Sequence, residues 1–279
     1  MRLLSALLLA CCCVSAHAGS WLVERDLAYG PVPEQLLDLY RPSAAGLGAP
    51  LILMVHGGGW RRGDKDMGRV VEHKVARWLP RGIAFVTINY RMQPVAAPLE
   101  QARDVARALA EVQRNSAKFA IDRNNIVLMG HSAGAHLIAL LAARPELLID
   151  AGAQPARGFV LLDSGALDVP AIMNARHFRL YDQAFGSNQA EWTAASPWHQ
   201  LRQATAPILA VCSSRRTNAC AQAQAFVAKA QGLGSQAEVL ALDKSHGAIN
   251  AQLGEDPAYT ARVESFLSRL SPAFGERLR

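Results

Sequence analysis

Short apolar runs recur along this chain, separated by stretches whose apolar residues fall at helical spacing. Leu51-Ile52-Leu53-Met54-Val55, Ile126-Val127-Leu128-Met129, Phe159-Val160-Leu161-Leu162 and Ile208-Leu209-Ala210-Val211 are each too short for a core helix. They are also too continuous for a strand with one wet face, so they read as strands buried on both sides. Further strands are predicted over 22–29, 35–40, 83–88 and 237–242, the first two being an antiparallel pair joined through Pro31 and Pro33. Helices are predicted over 66–79, ending at Pro80, and over 133–143, 219–231 and 259–270. Another is predicted over 99–115, with Pro98 at its start and Glu100, Asp104 and Glu111 facing solvent. Strand and helix alternate, which predicts an α/β fold with a mostly parallel sheet covered on both faces. The alternation breaks over about 168–200, where Met173, His177, Phe178, Tyr181, Phe185, Trp192 and Trp198 cluster. This insertion reads as a small lid above the carboxyl edge of the sheet, or as a helical excursion that buries its aromatics against the core.

Composition narrows the class. Hydrophobic residues make up 51% of the chain and charged ones 19%, which fits an ordinary folded core and excludes disorder. The net charge of +6 is modest, and the doublets Arg61-Arg62 and Arg215-Arg216 and the tail Arg277 and Arg279 read as solvated surface. No basic patch interleaved with aromatics supports nucleic-acid binding. At the N-terminus, Met1-Arg2 precedes an apolar stretch over 3–14 and a small-residue site, Ala16-His17-Ala18. Residues 1–18 therefore read as a signal peptide, leaving one domain over 19–279 in a bacterial periplasm or the medium. The competing reading is a lipoprotein anchored through Cys11. The apolar stretch is too short to span a bilayer. Five cysteines are present. Cys11, Cys12 and Cys13 leave with the leader, and Cys212 and Cys220 remain as an even pair. In an oxidising compartment they are expected to form a disulfide, the alternative being two free thiols. No histidine pair with a nearby carboxylate has metal-ligand spacing, so neither metal nor cofactor is expected.

The chemistry is carried by Gly130-His131-Ser132-Ala133-Gly134. This G-x-S-x-G lies between a predicted strand and a predicted helix, where a sharp turn presents the serine hydroxyl beside a helix N-terminus. A second glycine motif, His56-Gly57-Gly58-Gly59-Trp60, follows an earlier strand. Its amides can be aimed at an oxyanion, so the expected hole comprises the N–H groups of Gly57, Gly58 and Ala133. His56 is expected to orient that loop. The order Ser…acid…His predicts a histidine after the last strand, and His246 stands there. His131 and His136 are expected to pack; His73, His177 and His199 are expected at the surface. The acid position is awkward, because the loop Cys212-Ser213-Ser214-Arg215-Arg216-Thr217-Asn218-Ala219-Cys220 contains no carboxylate.

The chain resembles the α/β-hydrolase superfamily on its hormone-sensitive-lipase and feruloyl-esterase-like (BD-FAE-like) side. The resemblance runs from about Leu36 to Leu270. It rests on Asp38-Leu39-Tyr40-Arg41-Pro42, the segment from His56 to Lys65, Ile88-Asn89-Tyr90-Arg91, the Ser132 elbow and Ala195-Ser196-Pro197. It implies a serine carboxylesterase acting on a small-molecule ester through an acyl-enzyme. Family members carry an Asp close to the place of Asn218, so Asn218 is the first candidate for orienting His246. An Asn can accept the imidazole N–H but offers no full charge to an imidazolium. Asp163, at the end of the preceding strand, is the alternative acid, and Asp243 is a third. Two other functions stay open: a hydrolase-fold binding protein with a decayed triad, suggested by Asn218, and an arylformamidase-type amide hydrolase. No large gating domain is expected, which argues against oligopeptidase activity. The pocket is expected to be small and to suit short or aromatic acyl groups.

Overall fold

The structure is a computed structural model that describes residues 21–43 and 48–279. The proposed leader, with Cys11 and its neighbours, lies outside the described residues. Eight strands form one sheet: β1 (Trp21–Ala28), β2 (Leu36–Pro42), β3 (Ala49–Val55), β4 (Ala84–Ile88), β5 (Ile121–His131), β6 (Gly158–Leu162), β7 (Ile208–Ser213) and β8 (Ala237–Leu242). Their order is β1-β2-β4-β3-β5-β6-β7-β8. The pairs β1–β2 and β2–β4 are antiparallel, and every pair from β4 to β8 is parallel. The long helices are α1 (Gly68–Trp78), α2 (Pro98–Arg114) and α3 (Ala133–Ala143). Shorter ones follow: α4 (Glu146–Asp150), α5 (Val169–Met173), α6 (Arg179–Phe185), α7 (Gln189–Ala194) and α8 (Pro197–Gln200). The chain ends with α9 (Ala219–Gly232), α10 (His246–Ala251), α11 (Pro257–Leu270) and α12 (Pro272–Gly275). This is the α/β-hydrolase architecture.

Alternate residues of the central strands enter different cores, as the period of two requires. Leu51, Leu53 and Val55 join α2, α3 and α9 residues such as Val105, Leu137 and Phe226 on one face. Ile52 and Met54 join Val75 and Trp78 of α1 and Val263 and Phe266 of α11 on the other. Both faces are buried, which explains why these strands read as unbroken apolar runs. α3 is buried at every position, and its Gly134 is needed for that approach. A Cβ there would lie 2.2 Å from the carbonyl oxygen of Val55.

The expectation for Asp104 is corrected. It is fully buried rather than solvent-facing. Its carboxylate accepts from Gln35 and from the Arg91 and Arg107 guanidiniums, so the charge is compensated inside the fold. The insertion between β6 and β7 buries some of its aromatics and leaves others exposed. Phe185 and Trp192 are buried against the core, whereas Phe178 is 74% exposed at the cleft mouth.

Candidate active site

Four strand ends on the carboxyl edge of the sheet meet at one point. After β5 the chain turns through Ser132 at φ 56° and ψ −116°, a backbone region that side chains rarely occupy and that costs of order 1–3 kcal/mol. The surroundings hold it there. Ser132 N–H donates to Leu162 O at 2.9 Å and its carbonyl accepts from His136 N–H at 3.1 Å. A Cβ at Gly130 would sit 2.6 Å from the Gly134 backbone, so glycine lets strand and helix fold tightly back on each other.

After β3, the glycine segment closes over this turn. A Cβ on Gly57 would lie 2.8 Å from His131 O and 2.9 Å from Ser132 Cβ. Gly58 adopts φ 130°, and a side chain there would strike the carbonyl of Arg62. Arg61 and Arg62 N–H groups both donate to Gly58 O. Trp60 anchors the far end of the segment. It is buried, donates Nε1–H to His136 Nδ1 at 3.1 Å, and packs against Phe185. His56 orients the near end, with Nδ1 2.8 Å from Gly57 O and its ring stacked on Tyr90. Burial pushes its pKa down, so it is a neutral donor.

After β8, Ser245 caps α10 and His246 is the first residue of that helix. Its Nε2 lies 3.0 Å from Ser132 Oγ and its Nδ1 2.6 Å from Asp163 Oδ2. Asp163 follows β6 at φ 56°, a left-handed position that Asp tolerates better than most residues. Its side chain is fully buried. Burial alone would raise its pKa. The His246 hydrogen bond, the Ser213 N–H at 2.8 Å and the Arg216 guanidinium outweigh that and hold it at about 2. It is therefore a fixed anion at neutral pH.

Asn218 is not in this arrangement. It is exposed, sits at the N-terminal end of α9 and caps that helix with no side-chain hydrogen bond. The carboxylate that the structure places beside His246 is that of Asp163, the alternative acid, at 2.6 Å. The turn after β6 delivers the Asp163 carboxylate to the imidazole, while the loop after β7 presents Arg216 to that point and leaves Asn218 exposed. Asp243 is also excluded from the site, being exposed and paired with Arg215. Cys212 and Cys220 are joined by a disulfide.

Arg216, which the sequence places at the solvated surface, instead enters the site. Its Nη1 donates to Asp163 Oδ2 at 2.8 Å and to Asp163 O at 3.1 Å. The same nitrogen lies 3.1 Å from His246 Nδ1. With Nδ1–H pointed at Asp163 both atoms are donors, so that contact carries no hydrogen bond. Only Arg215 distinguishes itself as the surface member of the doublet, and nothing local in the sequence separates the two. His131 and His136 pack as expected. His131 lies 2.9 Å through Nε2 from His246 O, and burial pushes its pKa to about 3. His136 lies 2.8 Å through Nε2 from Ala195 O, and burial pushes it to about 4.

A cavity of about 660 Å³ opens over Ser132 and His246. It is roomier than the sequence suggested, because the insertion forms only one wall. The other wall comes from the glycine segment and the start of α1.

Residues 98–271 match the prolyl oligopeptidase family, and residues 37–153 match the BD-FAE family. The chain belongs to the prolyl oligopeptidase family of α/β hydrolases. Over 117 residues this hydrolase is 35% identical to the isoprenylcysteine alpha-carbonyl methylesterase of Arabidopsis thaliana, covering 42% of this chain and 27% of that one. Over 175 residues it is 35% identical to Esterase LipQ of Mycobacterium tuberculosis, covering 60% of this chain and 37% of that one. The hydrolase therefore spans well under half the length of these relatives. The solved structure of a truncated carbohydrate esterase from gut microbiota superposes with a TM-score of 0.78. The match covers 92% of this chain and 99% of that one at 18% identity. Among the described residues, no helix is long and apolar enough to cross a membrane.

Proposed function

We propose that this hydrolase is an exported serine carboxylesterase that works through an acyl-enzyme. The observation that carries the reading is the continuous relay from Ser132 Oγ through His246 to Asp163, at 3.0 and 2.6 Å. His246 Nε2 takes the Ser132 proton as Oγ bonds to the ester carbonyl carbon, and the carbonyl electrons move onto oxygen. The N–H groups of Gly57, Gly58 and Ala133 receive that oxyanion. Collapse breaks the C–O bond to the alcohol, which leaves with the proton from His246. Water repeats the sequence on the acyl-enzyme and releases the acid. Asp163 holds Nδ1–H in place and stabilises the imidazolium.

Three relatives or neighbours named as esterases support the ester as substrate class. The disulfide and the leader-like N-terminus support export. The binding-protein reading drew on Asn218, and the Asp163 contact weakens it. The test is hydrolysis of 4-nitrophenyl butyrate by the purified protein and by Ser132→Ala, together with stoichiometric labelling by a phosphonate. Turnover and labelling that both vanish in Ser132→Ala are expected. Wild-type protein that neither turns over nor labels would overturn the proposal.

A further inference from the structure

The two walls of the cleft differ in chemistry. The insertion contributes Phe178, Leu180, Tyr181 and Gln183, a mostly apolar and aromatic surface. The glycine segment and the start of α1 contribute Arg61, Arg62 and Arg69. Arg216 also lines the cleft, but Asp163 already neutralises it. No Asp or Glu lines the cavity among the described residues.

Among the described residues, none of the three guanidiniums forms an ion pair. Their sequence neighbours Asp64, Asp66 and Glu72 form no ion pair with them. Asp64 is instead occupied by Asn89 and by the Asp66 N–H. Arg69 makes one contact, to the Met67 sulfur. Arg61 and Arg62 project from a backbone fixed by the Gly58 turn, next to Gly57, which lies close against Ser132. The cation pair is thus presented by the segment that would hold the reacting carbonyl. All three are exposed at the rim of the cleft, so their pull on a bound anion weakens as salt is added.

We infer that the preferred substrate is an ester carrying a free carboxylate, bound with that carboxylate on the Arg61–Arg62–Arg69 wall and its apolar body on the Tyr181 wall. This deepens the esterase reading and rests on it. Guanidiniums suit the role because their planar forks pair bidentately with carboxylates.

The experiment uses two matched ester pairs at low ionic strength. In 4-nitrophenyl hydrogen adipate and 4-nitrophenyl hexanoate the carboxylate is on the acyl side. In 3-acetoxybenzoate and 3-methylphenyl acetate it is on the alcohol side. In at least one pair kcat/KM is expected to favour the anionic member by about tenfold or more. That ratio should fall toward one in Arg61→Ala/Arg62→Ala/Arg69→Ala, and also at 0.5 M NaCl. Ratios that are near one in both pairs, or that survive the triple substitution, overturn the inference.

A second measurement does not depend on turnover. Methyl hydrogen adipate and methyl hexanoate are titrated by ligand-observed NMR into Ser132→Ala, with and without the triple arginine substitution. Tighter binding of the acid, lost with the arginines, supports the inference even if no hydrolysis is seen. Equal binding in this pair and in the matched titration of 3-acetoxybenzoate against 3-methylphenyl acetate overturns it even if neutral esters are turned over. Unchanged melting temperature of the triple variant establishes that it is folded.

Discussion

The turn after β6 and the loop after β7 lie side by side at the same edge of the sheet, yet they do opposite things. The first is short and buried, and it points one carboxylate at His246. The second is long, largely exposed and closed by the Cys212–Cys220 disulfide, and it supplies a cation instead. The acid that relatives are expected to carry on the second loop stands here on the first. The guanidinium of Arg216 then bridges the two, donating to Asp163 from the neighbouring loop. The lesson is that the imidazole requires an anion at one point in space, and adjacent strands of a parallel sheet can each reach that point. Position along the chain is the looser constraint.

The largest effect expected from this division falls on Asp163. An Asn there keeps the shape but loses the charge, and it can turn its NH₂ toward Nδ1 and favour the wrong tautomer. By the scale of the handicap seen for such a change in a serine protease, kcat of Asp163→Asn should drop by about 10⁴-fold. Steady-state hydrolysis of a chromogenic ester measures it. A loss below tenfold would break the comparison and return the role to another group.

Next in size is the staple on the second loop. Cys212 and Cys220 enclose a short segment, and loop entropy gives the crosslink roughly 2–3 kcal/mol. Cys212→Ser/Cys220→Ser should lose about that much stability in urea unfolding. Its activity should fall far less than in Asp163→Asn, because the charged partner of His246 lies elsewhere. Comparable losses of activity in the two variants would mean that the loop after β7 holds the site itself.

Acid stability gives a third reading. The Asp163 pKa is depressed in the fold, to about 2 from the ordinary 3.8. Stabilisation from a lowered carboxylate pKa is present above the unfolded value and is lost as pH falls through the folded one. The window is therefore about pH 4 to 2, and the shift corresponds to about 2 kcal/mol. The stability difference between wild type and Asp163→Asn should shrink across that window as the acid is titrated. A difference that stays constant from pH 5 to 2 would show that the carboxylate gains nothing from its partners.

Much of this was legible beforehand. The continuous runs in β3, β5, β6 and β7 announced a sheet buried on both faces, and Gly130, Ser132 and Gly134 announced the elbow. The amide loop and His246 followed from motif and order. What could not be read was whatever depends on direction across strands. Asp104 carries a charge in a helical stripe that looks wet, and only the fold shows Arg91 and Arg107 arriving to compensate it. Arg215 and Arg216 are adjacent in sequence, yet one meets Asp243 outside and the other Asp163 within. The insertion was visible as a break in rhythm, but its division into buried Trp192 and cleft-facing Tyr181 was not.

The smallest expected effect is the most direct check on the comparison. Asn218 stands where the sequence first suggested an orienting group, so Asn218→Asp would restore the family's carboxylate if that position faced His246. Here the side chain is exposed at the start of α9 and makes no capping hydrogen bond. An added charge there would be solvated and distant in effect. Near a helix N-terminus it would contribute about 0.3–1 kcal/mol of stability by interaction with the dipole. Activity should stay within about twofold of wild type, since surface charge of this kind is screened at ordinary ionic strength. A gain of tenfold or more in kcat would show that the loop after β7 swings inward during turnover, and that Asp163 shares the imidazole with a second site.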